Sequence, residues 1–480
     1  MPPLPSVEAV EAVDVVCLGE SMVTFLPSRA GRLADVPSFA RGIGGAESNV
    51  ACGLARAGHR ARWISRVGAD GFGEHLVREI AATGVDTAYV QRDPYRPTGI
   101  YFRTAGERAV GSEPVEPVEP VDGDGPAEPL AEVLYYRAGS AAAAMSPALI
   151  PREWAWSGRV LHLTGITPAL SGDCRALMRE LTTRAPGRPL VSFDLNYRVS
   201  LWRTADAGAS ENKTVSGTVS GPATATATGA GAGTGAGPAT ATATGAATAT
   251  GAGPATGPAT GPEAGSRPET ATATGAGSRP ATATGAGLAT GPATENAGGL
   301  AAADLGAEQA PAVLLGLARG CDLVFVGEDE AEAVWGVRGP EAIRAALPEP
   351  HTLVVKQGSA GATAYARRPD GTDAVTFEPA PRVDVVVPVG AGDAFAAGFL
   401  SGTLRGLPVA ERLRHGHLMA AAVLTVPGDL GTPPSREHAD RLVALDATEW
   451  GTLRFGPGWT DLPSPAEKWA ETAAVEVSDP

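Results

Sequence analysis

The sequence predicts an α/β fold built on an open, mostly parallel sheet, and three observations predict it. Short β-branched, apolar runs such as DVVCL (residues 14–18), VLHLTGI (160–166) and LVSFDLNYR (190–198) alternate with segments of helical period along most of the chain. These runs pass into glycine or polar residues at their C-terminal ends, the edge where open α/β sheets bind ligands. The third observation is VPVGAGDAFAAGF, residues 387–399, a tight loop running into a helix N-terminus. Gly390 and Gly392 permit close backbone approach, and the first free N–H groups of the helix make an anion site. Asp393 follows them. A carboxylate there serves either plain helix electrostatics or, beside an anion hole, a general base that takes a proton from an attacking hydroxyl.

Bulk properties exclude several classes. A formal charge of −15 argues against a nucleic-acid partner, which needs a basic face. Cys17, Cys52, Cys174 and Cys321 are far apart and lack ligand spacing, and the seven histidines are scattered, so a reduced cytoplasmic protein without zinc is expected. The acidic, proline-bearing start MPPLPSVEAVEAVD has neither the positive end nor the apolar core of a signal peptide. No apolar run reaches the ~20 residues that span a bilayer, and no membrane partner is expected.

In chain order, residues 14–18 read as a buried first strand, and GESMVTFLP as a polar turn and a second extended piece. In residues 41–59, Gly44 and Gly45 precede a helix carried by Val50, Leu54 and Ala57 and closed by Gly58. ARWISRVGADGFGEHLVREIAATGVDT then gives strand, loop, helix and turn, with Asp70 and Gly71 read as structural. Residues 98–104 and 132–137 are aromatic-rich strands flanking an acidic, proline-rich insert at 111–130, read as a mobile loop. His162 in the next strand reads as a core histidine.

Residues 205–299 consist almost entirely of Ala, Thr, Gly and Pro. With no apolar face to bury, the entropy of ordering them has nothing to offset it, and they read as a disordered insertion. The helix–strand alternation resumes beyond it, which makes 12–204 plus 300–440 one domain rather than two. A strand at 323–326, helices, a strand at 352–355 and the loop KQGSAGATAY follow, the last having the look of a β-hairpin. HGHLMAAAVLTVPGDLGTPP reads as a helix packed on the sheet and then a loop; residues 441–480 show little periodicity and read as a tail.

The 387–399 stretch resembles the C-terminal signature of the ribokinase-like (PfkB) carbohydrate kinases, in which G-A-G-D opens a helix. Gly44-Gly45 and Asn49 sit in a G-G-x-x-x-N-x-A pattern similar to that family's other signature. The resemblance implies a three-layer α/β/α fold with a small β lid, formed at about 20–40 and 98–137, and SAAAAMSPALI as the start of a helix after it. It implies ATP and Mg²⁺, with Asp393 as catalytic base and the Gly390, Ala391 and Gly392 amides as the anion hole. Gly44, Gly45 and Asn49 would approach substrate hydroxyls. Lys356, Gly358, Gly361, Gly390, Gly392 and His417 would line the nucleotide side. Glu330, in a GEDE stretch where the family often has N-x-x-E, would join a metal and phosphate network. Val387 replaces an aspartate associated with a monovalent-cation site, so the resemblance does not carry that site over. Exposed lid strands in this family often pair between protomers, which implies a homo-oligomer through the lid.

Within that family, the 2-keto-3-deoxygluconate kinases carry Y-Y-R-x-x-S-A, S-G-I-T-P-A-L and F-D-x-N-Y-R-x-x-L-W. Here the chain reads YYRAGSA from Tyr135, TGITPAL from Thr164 and FDLNYRVSLW from Phe193. The similarity implies that Tyr101, Tyr135 and Arg137 hold a sugar acid, that Arg198 reaches substrate or phosphate, and that Asp429 closes the site. Arginine suits this task because its planar fork matches a carboxylate or phosphate. A kinase of a neutral sugar or nucleoside, or an idle sugar-binding regulator that kept the fold, stays open at this point.

Overall fold

Parallel strands covered on both faces read as continuous apolar runs, and VDVVCL, LVFVG and TLVVK behave that way in the computed structural model, which describes residues 12–29, 33–103, 133–202 and 310–461. The strands in chain order are β1 (Val13–Leu18), β2 (Met22–Pro27), β3 (Phe39–Gly44), β4 (Ala61–Ile64), β5 (Arg66–Gly68), β6 (Gln91–Asp93), β7 (Ile100–Arg103) and β8 (Val133–Tyr136). They continue as β9 (Gly158–Thr164), β10 (Leu190–Asp194), β11 (Leu323–Gly327), β12 (Thr352–Lys356), β13 (Gly361–Arg367), β14 (Asp373–Pro379), β15 (Arg382–Val383) and β16 (Arg454–Phe455).

Among the described residues the main sheet runs β14-β13-β12-β11-β10-β9-β1-β4. It is parallel from β4 to β12 and antiparallel from β12 to β14. Alternate residues of its strands enter two separate apolar clusters. Val16, Leu18, Leu163, Phe193, Val324 and Val355 pack with Leu177, Leu181, Leu314, Leu317 and Val334 of helices on one face. Val15, Cys17, Val160, Phe325 and Val354 pack with Val50, Leu54, Phe395, Phe399 and Leu413 of helices on the other. This is a three-layer α/β/α arrangement. From β1, next to the edge of the sheet, the chain steps to β4 on one side and later to β9 on the other, so the strand order reverses beside β1. Such a reversal opens a crevice at the carboxyl ends of the strands.

A second sheet, β3-β2-β7-β8, covers that crevice as a lid. Its period-2 pattern puts Tyr101 and Tyr135, direct partners in the ladder, on the crevice side. Phe102 stacks on Phe25 (ring centroids 4.7 Å) and meets Phe39 and Tyr136 edge-on, on the other side. Asp70 is structural as read: it caps the Gly71–Ala82 helix and binds the Thr98 amide.

Two readings need correction. SAAAAMSPALI forms only a single 3₁₀ turn, Ala142–Ala144, because Pro147 and Pro151 interrupt any longer helix. The segment expected to trail off as a tail is folded as far as Asp461. Helices Arg436–Val443 and Ala447–Thr452 bring Trp450, Phe455 and Trp459 onto Leu418, Ala421 and Ala422, and β16 pairs with β15. The 111–130 insert and the 205–299 run lie outside the described residues.

Candidate active site

Strand ends and helix starts converge on one cleft of about 1630 Å³. That exceeds the ~300–1,000 Å³ usual for a single small ligand and leaves room for two. Every residue given a site role from the sequence lines it.

At its centre is the loop before the Ala391–Leu404 helix. Gly390 takes φ 79°, the left-handed conformation that glycine adopts without penalty. The first helical bond runs from the Ala394 amide to the Gly390 carbonyl (3.0 Å), so the amides of Ala391, Gly392 and Asp393 have no partner within the helix. Asp393 is held from both sides: Asn49 Nδ2 donates to Oδ2 (3.0 Å) and Asn196 Nδ2 to Oδ1 (3.3 Å). Burial pushes its carboxyl up to about 7; the Asn49 bond, Arg198 and Lys356 oppose the rise and Asp194 adds to it. A carboxylate tuned to that range, beside open amides, can accept a hydroxyl proton near neutral pH.

Lys356, at the end of β12, gives two hydrogen bonds to Asp194 at the end of β10 (2.9 and 2.8 Å). Burial works against its charge, but Asp194, with Glu330 and Asp393 beyond, holds its pKa above the usual value. Beneath this floor Glu47 is fully buried, accepting bonds from the Thr164 and Thr167 hydroxyls (2.8 and 2.9 Å), and burial raises its carboxyl to about 7.

Under the lid, Asp429 accepts from the Tyr101 hydroxyl (2.9 Å) and pairs with Arg103 (2.7 Å), both partners of the ion pair being almost wholly enclosed. Gly44 is required here: a Cβ would lie 2.2 Å from the Tyr101 hydroxyl and 2.7 Å from Asp429 Oδ2. Arg137 pairs with buried Glu20, whose other oxygen accepts from Ser140 Oγ (2.9 Å). The Arg137 Nε is buried with no hydrogen-bond partner among the described residues.

The far end of the cleft is lined by Gly358, Gly361, Val383, Val385, Ala420, Leu424 and His417. His417 binds the Glu378 carbonyl (3.0 Å), and burial lowers its pKa to about 4, so it is a neutral wall rather than a cation. The KQGSAGATAY loop is both a hairpin turn and part of this wall. Glu330 caps its own helix through the Gly327 amide (2.8 Å) and stands 3.9 Å from Arg198. Among the described residues no three His, Cys, Asp or Glu side chains group to hold a metal ion. A single carboxylate of this kind fits a hard cation that arrives on phosphate oxygens rather than one caged by protein.

Sequence reasoning missed Glu20, Glu47, Arg103, Asp194 and Asn196. The last two stand inside the FDLNYR motif and were legible as polar residues at a strand end. The four cysteines are free and buried, and no described helix is long and apolar enough to cross a membrane.

The chain belongs to the pfkB family of carbohydrate kinases, whose model matches residues 12–112 and 294–436. It is 28% identical to a 2-dehydro-3-deoxygluconokinase of Bacillus subtilis over 91% of this chain and 97% of that one. A 2-dehydro-3-deoxygluconokinase of Thermoproteus tenax is 33% identical over 40% of this chain and 52% of its own length. Among solved structures, a PfkB protein from Polaromonas sp. JS666 superposes with a TM-score of 0.55 at 26% identity, covering 89% of this chain and 99% of that one.

Proposed function

We propose that this carbohydrate kinase transfers the γ-phosphoryl group of ATP to the 6-hydroxyl of 2-keto-3-deoxygluconate. The supporting observation is the sugar end of the cleft. There Arg137, with a buried Nε lacking an acceptor among the described residues, stands with Tyr101 and Tyr135 on the lid side, and Arg198 lines the same cleft. A buried donor without a partner is costly unless a ligand supplies the acceptor, and a sugar acid does. The full-length similarity to a Bacillus subtilis 2-dehydro-3-deoxygluconokinase points the same way.

In this reading Gly44, Gly45, Asn49 and Asp429 hold the sugar so that its hydroxyl meets Asp393, which takes the proton. The open amides at the start of the Ala391–Leu404 helix meet the charge on the transferring phosphoryl group. Lys356 adds a fixed cation, and Gly358, Gly361 and His417 line the slot for the nucleotide. Mg²⁺ brought by the phosphates would neutralise their charge, with Glu330 the carboxylate nearest to hand in this reading.

One observation favours a second reading. Glu20 compensates the Arg137 charge, which suits a neutral sugar such as fructose. A panel of sugars assayed by coupled ADP release decides between them. The sugar acid is expected to lead, and a kcat/KM for fructose or ribose tenfold higher would overturn the substrate assignment.

A further inference from the structure

Asn196 is the one non-glycine residue with positive φ (40°) among those described. It follows β10 and is almost fully buried. Asparagine tolerates this conformation better than other side chains do, so a turn-forming role is the first explanation to test. A turn asparagine normally spends its side-chain oxygen on a nearby backbone amide. Asn196 does not: its Oδ1 is buried with no hydrogen-bond partner among the described residues, and its Nδ2 reaches Asp393, 197 positions away in sequence. Asn49 mirrors it on the other carboxylate oxygen, also with an unpartnered Oδ1.

We propose that Asn196 is a positioning residue for phosphoryl transfer: its left-handed turn after β10 aims the amide at Asp393, and with Asn49 it clamps both carboxylate oxygens in one orientation. The clamp stabilises the anionic base, and it leaves the two buried Oδ1 acceptors beside it without a hydrogen-bond partner among the described residues. The proposal rests on Asp393 being the base. The groups around Asp393 are Asn49 and Glu47 on the Ala46–Arg56 helix, Asp194 and Arg198 flanking Asn196 in sequence, and Lys356 on β12. Asn49, together with Asn196 itself, donates hydrogen bonds to the carboxylate.

Asn196→Gly separates the two roles, because glycine keeps the backbone conformation without strain while deleting the amide. The expected result is a kcat lowered about ten- to a hundredfold, a KM for ATP within about threefold of wild type, and an unchanged thermal midpoint. Loss of one donor to the carboxylate should also move the acid limb of kcat/KM up by about one pH unit. Wild-type kcat, or a lowered kcat with the acid limb unmoved, would overturn the proposal and leave Asn196 a turn residue. If the glycine variant does not fold, Asn196→Asp keeps size and turn tolerance while placing a second carboxylate against the first. Its acid limb should move further up, and an unmoved limb counts equally against the clamp. Asp393→Asn is run alongside: an active Asp393→Asn means the base itself is misassigned, whereas an inactive one with a normal Asn196→Gly rejects the clamp alone.

Discussion

The two glycines of the anion loop should respond to the same substitution in opposite ways. Alanine at position 390 must adopt φ 79°, which costs an L-residue about 1–2 kcal/mol. Its Cβ would also lie 2.7 Å from the Asp429 carbonyl oxygen and 3.2 Å from Val423 Cγ1. Backbone cannot swing aside as a side chain can, and overpacking of this kind costs about 1–3 kcal/mol. Gly390→Ala should therefore lose on the order of 3 kcal/mol. The strain falls on Asp429, so the carboxylate held by Tyr101 and Arg103 shifts and the KM for sugar rises as kcat falls. Gly392 has ordinary helical geometry, and a Cβ there meets only Lys356 Nζ at 3.4 Å, a normal contact. Gly392→Ala should keep or gain stability, by about 0.5–1 kcal/mol from helix propensity. It should still lose at least about tenfold in kcat, because the methyl occupies the space beside the ammonium where an anion would lie. Urea midpoints and steady-state kinetics on both variants make the test. Equal stabilities, or a Gly390→Ala enzyme with wild-type midpoint and rate, would show that the loop geometry does not constrain the site as argued.

Asp393→Asn should lower kcat by about 10²–10⁴ with little change in either KM, the usual worth of a general base; retention of full kcat would leave the open amides and positioning to supply the catalysis. The wild-type kcat/KM should fall as pH drops through about 7, where burial places the Asp393 carboxyl and the base is lost to protonation. A flat profile between pH 6 and 8 contradicts this. Glu47, raised from 4.5 to about 7 by burial, keeps its proton in the folded state where the unfolded chain has lost it, so its contribution to stability falls as pH rises towards 7. Glu47→Gln should gain relative to wild type between pH 5.5 and pH 8 by about 2 kcal/mol in urea titrations, and a constant difference would place the shift elsewhere. Trp450 is fully buried, donates Nε1 to the Pro379 carbonyl (2.8 Å) and lies under the Arg414 guanidinium. Trp450→Ala should cost about 3–5 kcal/mol in the same titrations, whereas a dispensable tail would lose nothing measurable.

What could be read from the sequence divides according to whether the physics is local. The anion loop was legible because its glycines, its free amides and its carboxylate lie within a few residues, and chain geometry alone puts them together. The parallel core was legible for the same reason: continuous apolar runs at strand length encode burial on both faces without reference to a partner. The charge pairing of the cleft is not local. Glu20 meets Arg137 across 117 positions and Arg103 meets Asp429 across the whole lid-to-core interface, so their neutralisation of each other appears only once β7 and β8 are in register. Asp194 and Asn196 were in plain view at the end of a strand, but which polar residue turns towards Asp393 depends on one left-handed residue, and no periodicity encodes that. The C-terminal segment hid its fold differently. Its burial rests on Trp450, Phe455 and Trp459 at irregular spacing, seated on the small side chains of Ala421 and Ala422. Three large aromatics can hold a short segment without any repeat to betray it, because each buries far more area than an aliphatic residue of a helical stripe. The local signals of the site are thus those of the loop before the Ala391–Leu404 helix, whereas the charge pairs at its lid end depend on contacts that only the fold assembles.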